Sequence, residues 1–206
     1  IGIVAAKVCR HVHRPTLLFS VRDGVAVGSD RAIPGIDLFD VLSQHSALFT
    51  RFGGHRAAAG VTLPQAQLPA LQAAFEAGAF DEAPASVWEP VLHADAELDL
   101  ADVDWDLFAT VQRLAPFGLG NSEPTFLARG LRPLGLKLLA GGVGIRLRLQ
   151  GARGSAITAV GFGVAPPEDD TARLDALFTL QCNQWRGRRS LELRLRDLRP
   201  SEPAPR

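Results

Sequence analysis

Two short stretches of the sequence carry residue types that could hold a phosphate group. In GSDRAIPG, residues 28–35, Ser29 and Arg31 are two positions apart, so in an extended strand both side chains face the same way. A guanidinium offers a planar fork of charged donors and a serine hydroxyl adds a neutral donor, a combination that suits phosphate oxygens. The alternative is an arginine at a strand end that pairs with Asp30 or Asp37, and these residues alone leave both interpretations open.

The second stretch is RFGGHRAAAG, residues 51–60, which we predict to be a loop. Without side chains at Gly53 and Gly54, backbone N–H groups can approach an anion closely. His55 could donate a hydrogen bond to a phosphate oxygen or take part in proton transfer. The alternative is a turn that needs positive φ, with the histidine pointing to solvent.

A third group consists of arginines and a tryptophan near the end of the sequence. Trp185, Arg186 and Arg188 lie in a predicted turn between two strands, and Arg146 and Arg148 lie on the outward side of an alternating segment. An aromatic ring for base stacking, beside arginines for the nucleic-acid backbone, is typical of barrels that hold single strands. The alternative is a tryptophan that covers one end of a barrel and arginines that solvate a sheet edge.

Charge is unevenly distributed along a chain whose formal net charge is zero. Residues 1–75 carry seven basic and four acidic side chains, residues 76–123 carry one and eleven, and residues 129–199 carry thirteen and six. The two ends therefore attract anions and the middle repels them. This asymmetry favours a nucleic-acid partner for the outer segments and indicates that the acidic middle is a connector.

The elements that position these residues follow from hydrophobic periodicity. Residues 1–80 are predicted to be a small α/β domain. Its expected elements are a helix over 3–14, strands over 16–21 and 25–27 joined at Asp23–Gly24, a helix capped by Asp37, a strand over 59–63 and a helix over 65–77.

The second half changes to a period of two, with alternation at residues 145–150 and 191–196. Together with three further apolar segments, at residues 125–131, 156–162 and 174–182, this predicts about five short strands, for which an OB-type barrel is the natural arrangement. We place the barrel at residues 125–199, an acidic connector with a helix capped by Asp102 at residues 81–124, and a loose tail at residues 200–206. The fold class is therefore α/β followed by a mostly β OB-fold barrel.

Several functional classes are disfavoured by composition. Cys9 and Cys182 form no zinc or redox spacing, so we expect two reduced, partly buried thiols in a cytoplasmic protein. No apolar run is long enough to cross a membrane and no signal peptide is present, so we expect no membrane partner. The sequence has no methionine and opens directly in a helical pattern, so we expect it to be a piece of a longer chain.

Taken in order, these motifs resemble a known family. The runs IGIVAAKVCRHVHRPTLLFSV, GSDRAIPGIDLFDVL and FTRFGGHRAAAGVTL are similar to the DHH-associated domain of DHH phosphoesterases. The runs DAELDL, LAPFGLGNSEPTFLARG and NQWRGRRSLELRLRDLRP are similar to the OB domain of RecJ, a family of bacterial exonucleases specific for single-stranded DNA. The resemblance covers nearly all of the chain, whereas small oligonucleotide phosphodiesterases of the same superfamily share only the first half.

The resemblance implies a role for each motif. Ser29 and Arg31 match the family's phosphate-contacting pair, although Asp30 stands where the family often has a small residue. Gly53, Gly54 and His55 match its glycine-histidine loop, with His55 as a catalytic hydrogen-bond donor. The resemblance also implies Mn²⁺ or Mg²⁺, bound by a DHH domain that this sequence lacks, so that this segment binds no metal itself.

The function implied is that of the C-terminal segment of a 5′-to-3′ single-stranded-DNA exonuclease in DNA repair and recombination. Its expected partners are single-stranded DNA, a helicase and a single-strand-binding protein, and the segment is expected to be a monomer. Two alternatives stay open. One is a non-enzymatic single-strand-binding module, which would bind regardless of the 5′ end, and the other is a DHH-type phosphodiesterase for short oligonucleotides, which would have no use for the barrel.

Overall fold

The chain separates into two compact units in a computed structural model that describes residues 1–169 and 172–201. The first unit runs from Ile1 to Val91 and the second begins at Leu92. Residues 81–91, which the sequence analysis assigned to a connector, belong to the first unit because Val87 and Trp88 pack against its core. The rest of the predicted connector belongs to the second unit.

The first unit contains one four-stranded antiparallel sheet with strand order β1-β2-β4-β3. Asp23 and Gly24 form the β1–β2 turn with φ values of 52° and 75°, the conformation that a two-residue hairpin requires. The elements are α1 (Gly2–Val12), β1 (Thr16–Arg22), β2 (Val25–Arg31), α2 (Leu38–Gln44), β3 (Arg51–His55), β4 (Ala58–Pro64) and α3 (Leu68–Glu76).

The helices of the first unit cover the two faces of its sheet unequally. On one face, α2 and α3 bury Leu38, Leu42 and Leu71 against the inward residues of the strands. The helix α1 packs on the opposite face against β1 and β2 and is buried through Ala5 and Cys9. These two small residues allow a close approach to the sheet. The stripe formed by Val4, Val8 and Val12 on the same helix remains exposed.

The glycine stretch is a strand, which corrects the predicted loop. Residues Arg51–His55 pair with β4 throughout, and the hairpin turns over two residues, Arg56 and Ala57. The turn is anchored because Asp37 forms an ion pair with Arg56 at 3.1 Å and Ala32 donates its N–H to the carbonyl of Ala57. These contacts come from residues far away in sequence, which explains why local patterns did not indicate a strand.

The second unit is a closed five-stranded barrel. Its strand order is β6-β7-β8-β10-β9, with β6 also paired to β9 and with β8 and β10 parallel. This topology confirms the predicted OB-type fold, and the inward apolar residues of all five strands share one core. The elements are β5 (Ala96–Glu97), α4 (Trp105–Gln112), β6 (Phe126–Leu138), β7 (Gly144–Gln150), β8 (Ala156–Phe162), β9 (Leu174–Trp185) and β10 (Arg188–Pro200).

Two details of the barrel unit differ from the sequence analysis. The cap of α4 is Asp104, whose Oδ1 accepts the N–H of Leu107 at 2.8 Å, whereas Asp102 binds Arg153 at 2.6 Å. Of the predicted loose tail, residues 202–206 lie outside the described residues. Pro200 still pairs in β10, and Ser201 donates from Oγ to Asp175 at 2.7 Å.

Candidate nucleic-acid interface

The two candidate phosphate-binding motifs lie on one face of the first sheet. Residues paired across antiparallel strands point to the same side, and β4 pairs with both β2 and β3. The motif residues are therefore about 10 Å apart across two strand spacings. The aligned rows are Ser29–Gly60–Gly53 and Arg31–Ala58–His55.

We call this surface the open face, because α2 and α3 pack on the other side of the sheet, α1 covers only β1 and β2, and Arg51, Gly53, His55 and Gly60 are exposed. Two of its positions, Arg31 and Arg51, are arginines and none is acidic, so the open face attracts anions. The open face comprises Val27, Ser29 and Arg31 of β2, Arg51, Gly53 and His55 of β3, and Gly60 and Thr62 of β4.

Arg31 is oriented by its own strand. Its Nη1 donates to Ser29 Oγ at 3.1 Å and to the backbone carbonyl of Asp30 at 2.7 Å. Among the described residues it forms no ion pair with a carboxylate, and Asp37 pairs with Arg56 instead. The alternative ion pair of Arg31 with Asp30 or Asp37 is therefore not formed, and the charged guanidinium stays available beside the Ser29 hydroxyl.

Asp30 points away from the open face, into the opposite side of the sheet. Its side chain is fully buried, and neither carboxylate oxygen has a hydrogen-bond partner in the described structure. Burial raises the pKa of Asp30 to about 7, and the positive charge of Arg31 only partly opposes this rise. An acid between Ser29 and Arg31 therefore does not project toward a phosphate bound on the open face.

Gly2 is a site residue that the sequence analysis missed. A Cβ atom at this position of α1 would lie 3.0 Å from Arg31 Nη2 and 3.1 Å from Ser29 Oγ. A side chain at position 2 would therefore crowd the Ser29–Arg31 pair, and its absence lets the first turn of α1 lie directly against the pair. Gly2 stands between Ile1 and Ile3 in the sequence, and only the packing of α1 on β2 shows why a glycine lies there.

Gly53 and Gly54 differ in whether the fold leaves room for a side chain. A Cβ on Gly54, whose φ is 153°, would collide with the carbonyl oxygen of Ala58 and lie 2.5 Å from the Cα of Ala59. A Cβ on Gly53 would meet nothing within 4 Å. The fold itself therefore requires Gly54, whereas Gly53 leaves bare backbone on the open face.

His55 has a defined donor on the open face. Its Nδ1 accepts the backbone N–H of Ala57 at 3.3 Å, so the neutral ring carries its proton on Nε2. The side chain is exposed, and Nε2–H is free to donate to a ligand. His55 can therefore act as the hydrogen-bond donor predicted from the sequence.

The candidate single-strand-binding residues of the barrel lie on its outward side. Arg186 and Gly187 form the β9–β10 turn with φ values of 48° and 77°, and Trp185 is paired with Arg188 across it. Trp185 is 69% exposed and so covers no end of the barrel. The guanidinium carbon of Arg186 lies 5.8 Å from the centre of the Trp185 ring, which leaves most of the ring available.

The barrel arginines on β7 are partly engaged. Arg146 Nη2 lies 3.2 Å from Glu192 Oε1, and this buried carboxylate also accepts from the amides of Gln181 and Asn183. Arg148 donates to the carbonyl of Ala156 at 3.3 Å. The barrel thus orders Arg146 with a buried acid, a contact between β7 and β10 that sequence spacing did not reveal.

Two negative findings concern the described residues, 1–169 and 172–201. They contain no group of three or more histidine, cysteine or acidic side chains that could hold a metal ion. They also contain no helix long and apolar enough to cross a membrane. Cys9 and Cys182 are both free cysteines; Cys182 is partly buried as predicted, whereas Cys9 is buried.

Comparison with known proteins assigns a family to each unit. The family model "DHHA1 domain" matches residues 1–79 and the "RecJ OB domain" matches residues 94–197. The chain is 33% identical over 204 residues to the single-stranded-DNA-specific exonuclease RecJ of Thermus thermophilus, covering 98% of this chain and 28% of that protein. The chain spans only 26% and 36% of the length of the RecJ proteins of Bacillus subtilis and Escherichia coli.

Solved structures give the same result. The crystal structure of Thermus thermophilus RecJ in complex with Mn²⁺ aligns with a TM-score of 0.74 at 28% identity, covering 98% of this chain and 29% of that one. Its complex with Mg²⁺ aligns with a TM-score of 0.73 at the same identity.

Proposed function

Because the chain belongs to the RecJ family, we propose that it is the substrate-gripping C-terminal part of a 5′-to-3′ exonuclease that degrades single-stranded DNA. One observation carries the proposal. The oriented Ser29–Arg31 pair and the His55 donor lie on the same arginine-bearing face, where no acidic side chain projects.

On this proposal the open face holds the 5′ end of the strand. Arg31 and Ser29 bind the terminal phosphate or its neighbour and so set the position of the cut. His55 Nε2–H donates to a non-bridging oxygen of the phosphate that is attacked, where negative charge increases in the transition state. Positioning and electrostatic stabilisation are therefore the contributions of this chain to hydrolysis.

The divalent metal that the family uses does not fit the residues described here, since they contain no cluster of metal ligands. We propose that Mn²⁺ or Mg²⁺ is bound by a region of the protein outside this sequence. The structures of the Thermus thermophilus relative with each ion support the choice of metal.

The proposed phosphate site predicts a 5′-phosphate preference that depends on Arg31. The 206-residue chain should bind 5′-phosphorylated single-stranded DNA more tightly than the 5′-hydroxyl form. Arg31→Ala should lower the affinity for the phosphorylated form roughly tenfold or more, because it removes charged hydrogen bonds. Arg31→Lys should recover only part of the loss, because an ammonium lacks the planar fork. Fluorescence anisotropy over a salt series measures both effects.

A suitable control is Arg22→Ala, which removes one exposed charge from the same sheet at the far end of β1. It should weaken both forms of DNA slightly and equally. Equal affinity of the unmodified chain for the two DNA forms would contradict end recognition by this segment and would favour a single-strand-binding module that acts through the barrel alone.

For the barrel, we propose that DNA bases stack on Trp185 while Arg146, Arg148, Arg186 and Arg188 contact the backbone. Trp185→Ala should reduce affinity for single-stranded DNA by about 1–3 kcal/mol, the usual contribution of one stacked base. Because the side chain is largely exposed, the melting temperature should stay unchanged. Binding of the 5′-phosphate should also persist, and a loss of that preference in this variant would argue against separate sites.

We further propose a monomeric, cytoplasmic protein in DNA repair and recombination that works with a helicase and a single-strand-binding protein. The family resemblance supports these roles. The free thiols of Cys9 and Cys182 support the location, since thiols stay reduced in that compartment.

A further inference from the structure

The open face contains a strip of bare backbone beside the phosphate-binding pair. Gly60 on β4 lies between Ser29 and Gly53 in register, so two neighbouring strands have no side chain on this row. The fold does not require either glycine, because a Cβ at Gly53 meets nothing within 4 Å and one at Gly60 lies 3.9 Å from its nearest neighbour. Glycine weakens a strand, so its presence here indicates close approach by a ligand.

A second positive charge lies next to this strip, on the side away from Arg31. Arg51 is exposed on β3 and pairs with Thr62 of β4, which in turn pairs with Val27 of β2. Within residues 1–169 and 172–201, Arg51 has no ion-pair partner, unlike Arg56 at the nearby turn. Val27, Gly53, Gly60, Thr62 and Arg51 together line a shallow concavity that crosses three strands.

The spacing of the charges matches an extended strand of nucleic acid. Arg51 lies two strand spacings across from β2 and, along the strands, two residues beyond the row of Ser29 and four beyond that of Arg31, so its Cα is about 12–16 Å from those of the pair. This separation is longer than one nucleotide. A ligand with a single phosphate at Ser29 and Arg31 would not reach Arg51, whereas a strand of two or three nucleotides would.

We propose that the Gly53–Gly60 strip is the floor on which the sugar-phosphate backbone of the second nucleotide lies, and that Arg51 binds the phosphate that follows. This inference rests on the proposed function, because it takes the first phosphate to be held by Ser29 and Arg31. It adds a backbone-reading site that is independent of sequence, since neither glycine backbone nor a lone guanidinium distinguishes bases.

Length dependence tests the proposal directly. Thymidine oligonucleotides of one to four residues, 5′-phosphorylated and labelled with fluorescein at the 3′ end, are titrated with the 206-residue chain and its variants. In the unmodified chain, affinity should rise between one and three nucleotides. Arg51→Ala should lower the affinity for the longer oligonucleotides roughly tenfold and reduce the slope of log affinity against log salt concentration by about one. The affinity for the mononucleotide should not change.

Gly60→Ala examines the floor without removing charge. Its Cβ has room in the structure, and alanine suits a strand better than glycine, so the melting temperature should be unchanged or higher. Affinity for the two- to four-residue ligands should nevertheless fall, while that for the mononucleotide should not. An unchanged length dependence in Gly60→Ala would contradict the proposed floor.

Arg22→Ala is the matched control for charge, because it removes an exposed arginine from an outward position of the same sheet. If Arg51→Ala and Arg22→Ala weakened binding equally at every length, Arg51 would contribute only to the general field and the proposal would be overturned. A separate outcome concerns the proposed function. If Arg31→Ala left mononucleotide binding intact, the first phosphate site would be wrong, whatever the result for Arg51.

Discussion

Replacing Asp30 by asparagine is expected to stabilise the first unit at pH 8. The folded-state pKa of about 7 lies above the ordinary value of 3.8, so the folded protein binds more protons than the unfolded chain between these pH values. Stability therefore falls as the pH rises from about 4 to about 7, and remains lowered above it. The shift corresponds to at most about 4 kcal/mol, which Asp30→Asn should recover at pH 8 because asparagine does not ionise.

Urea unfolding at pH 5 and pH 8, followed by NMR signals of the first unit, measures this gain. The gain should be clearly smaller at pH 5, where burial keeps most of the native carboxyl protonated. Asp40→Asn is the control, since Asp40 is an exposed acid of the same unit on α2. If Asp30→Asn were no more stable than the unmodified protein at pH 8, the carboxylate must have a partner in solution that offsets its burial.

The adjacent glycines should give opposite results when each is replaced by alanine. Gly54→Ala places a methyl group against the backbone of β4 at a φ that alanine rarely adopts, so we expect a loss of about 3 kcal/mol in folding stability. Gly53→Ala should change stability by less than about 0.5 kcal/mol, because its Cβ has open space. Its effect should instead appear as weaker binding of phosphorylated DNA.

Thermal unfolding and anisotropy on the same two variants separate these effects. Loss of DNA binding in Gly54→Ala alone says nothing about the ligand, since the hairpin that carries His55 is disturbed. Gly53→Ala is the informative variant. A Gly53→Ala protein that folds normally and binds 5′-phosphorylated DNA as tightly as the unmodified chain would remove Gly53 from the proposed site.

Local patterns were sufficient to predict the barrel. Leucines alternate with charged residues on β7 and β10, and this period of two directly reflects one side facing the core. The segment predicted at residues 156–162 coincides with β8. Strand order and the parallel pairing of β8 with β10 do not follow from local patterns, because they depend on which distant segments meet.

The open face could be predicted only in part. The spacing of Ser29 and Arg31 indicated a shared direction, and the structure places both on one side of β2. Gly60 was missed because the glycine stretch was interpreted as a loop. Had β3 and β4 been recognised as a hairpin with a turn at Arg56 and Ala57, pairing of Gly53 with Gly60 would have followed from counting residues.

Contacts that depend on tertiary packing were beyond local patterns. Alternation along β2 places Asp30 opposite to Ser29 and Arg31, but nothing in the sequence near Asp30 indicates that this side is buried and offers no donor. Likewise, Val4, Val8 and Val12 share one side of α1 at helical spacing, yet Ala5 and Cys9 make the contact with the sheet. Small residues permit close packing that a scale of hydrophobicity does not weigh.

The closure of the barrel has a consequence for how the two units acquire their folds. In the first unit, β1–β2 and β3–β4 are hairpins whose partners are close in sequence, and only the β2–β4 pairing joins segments that are further apart. The barrel instead joins β6 to β9 and β8 to β10, so it closes only after segments some dozens of residues apart have met. Chains dominated by such distant pairings fold in milliseconds to seconds, so barrel closure should be the slower event during synthesis and refolding.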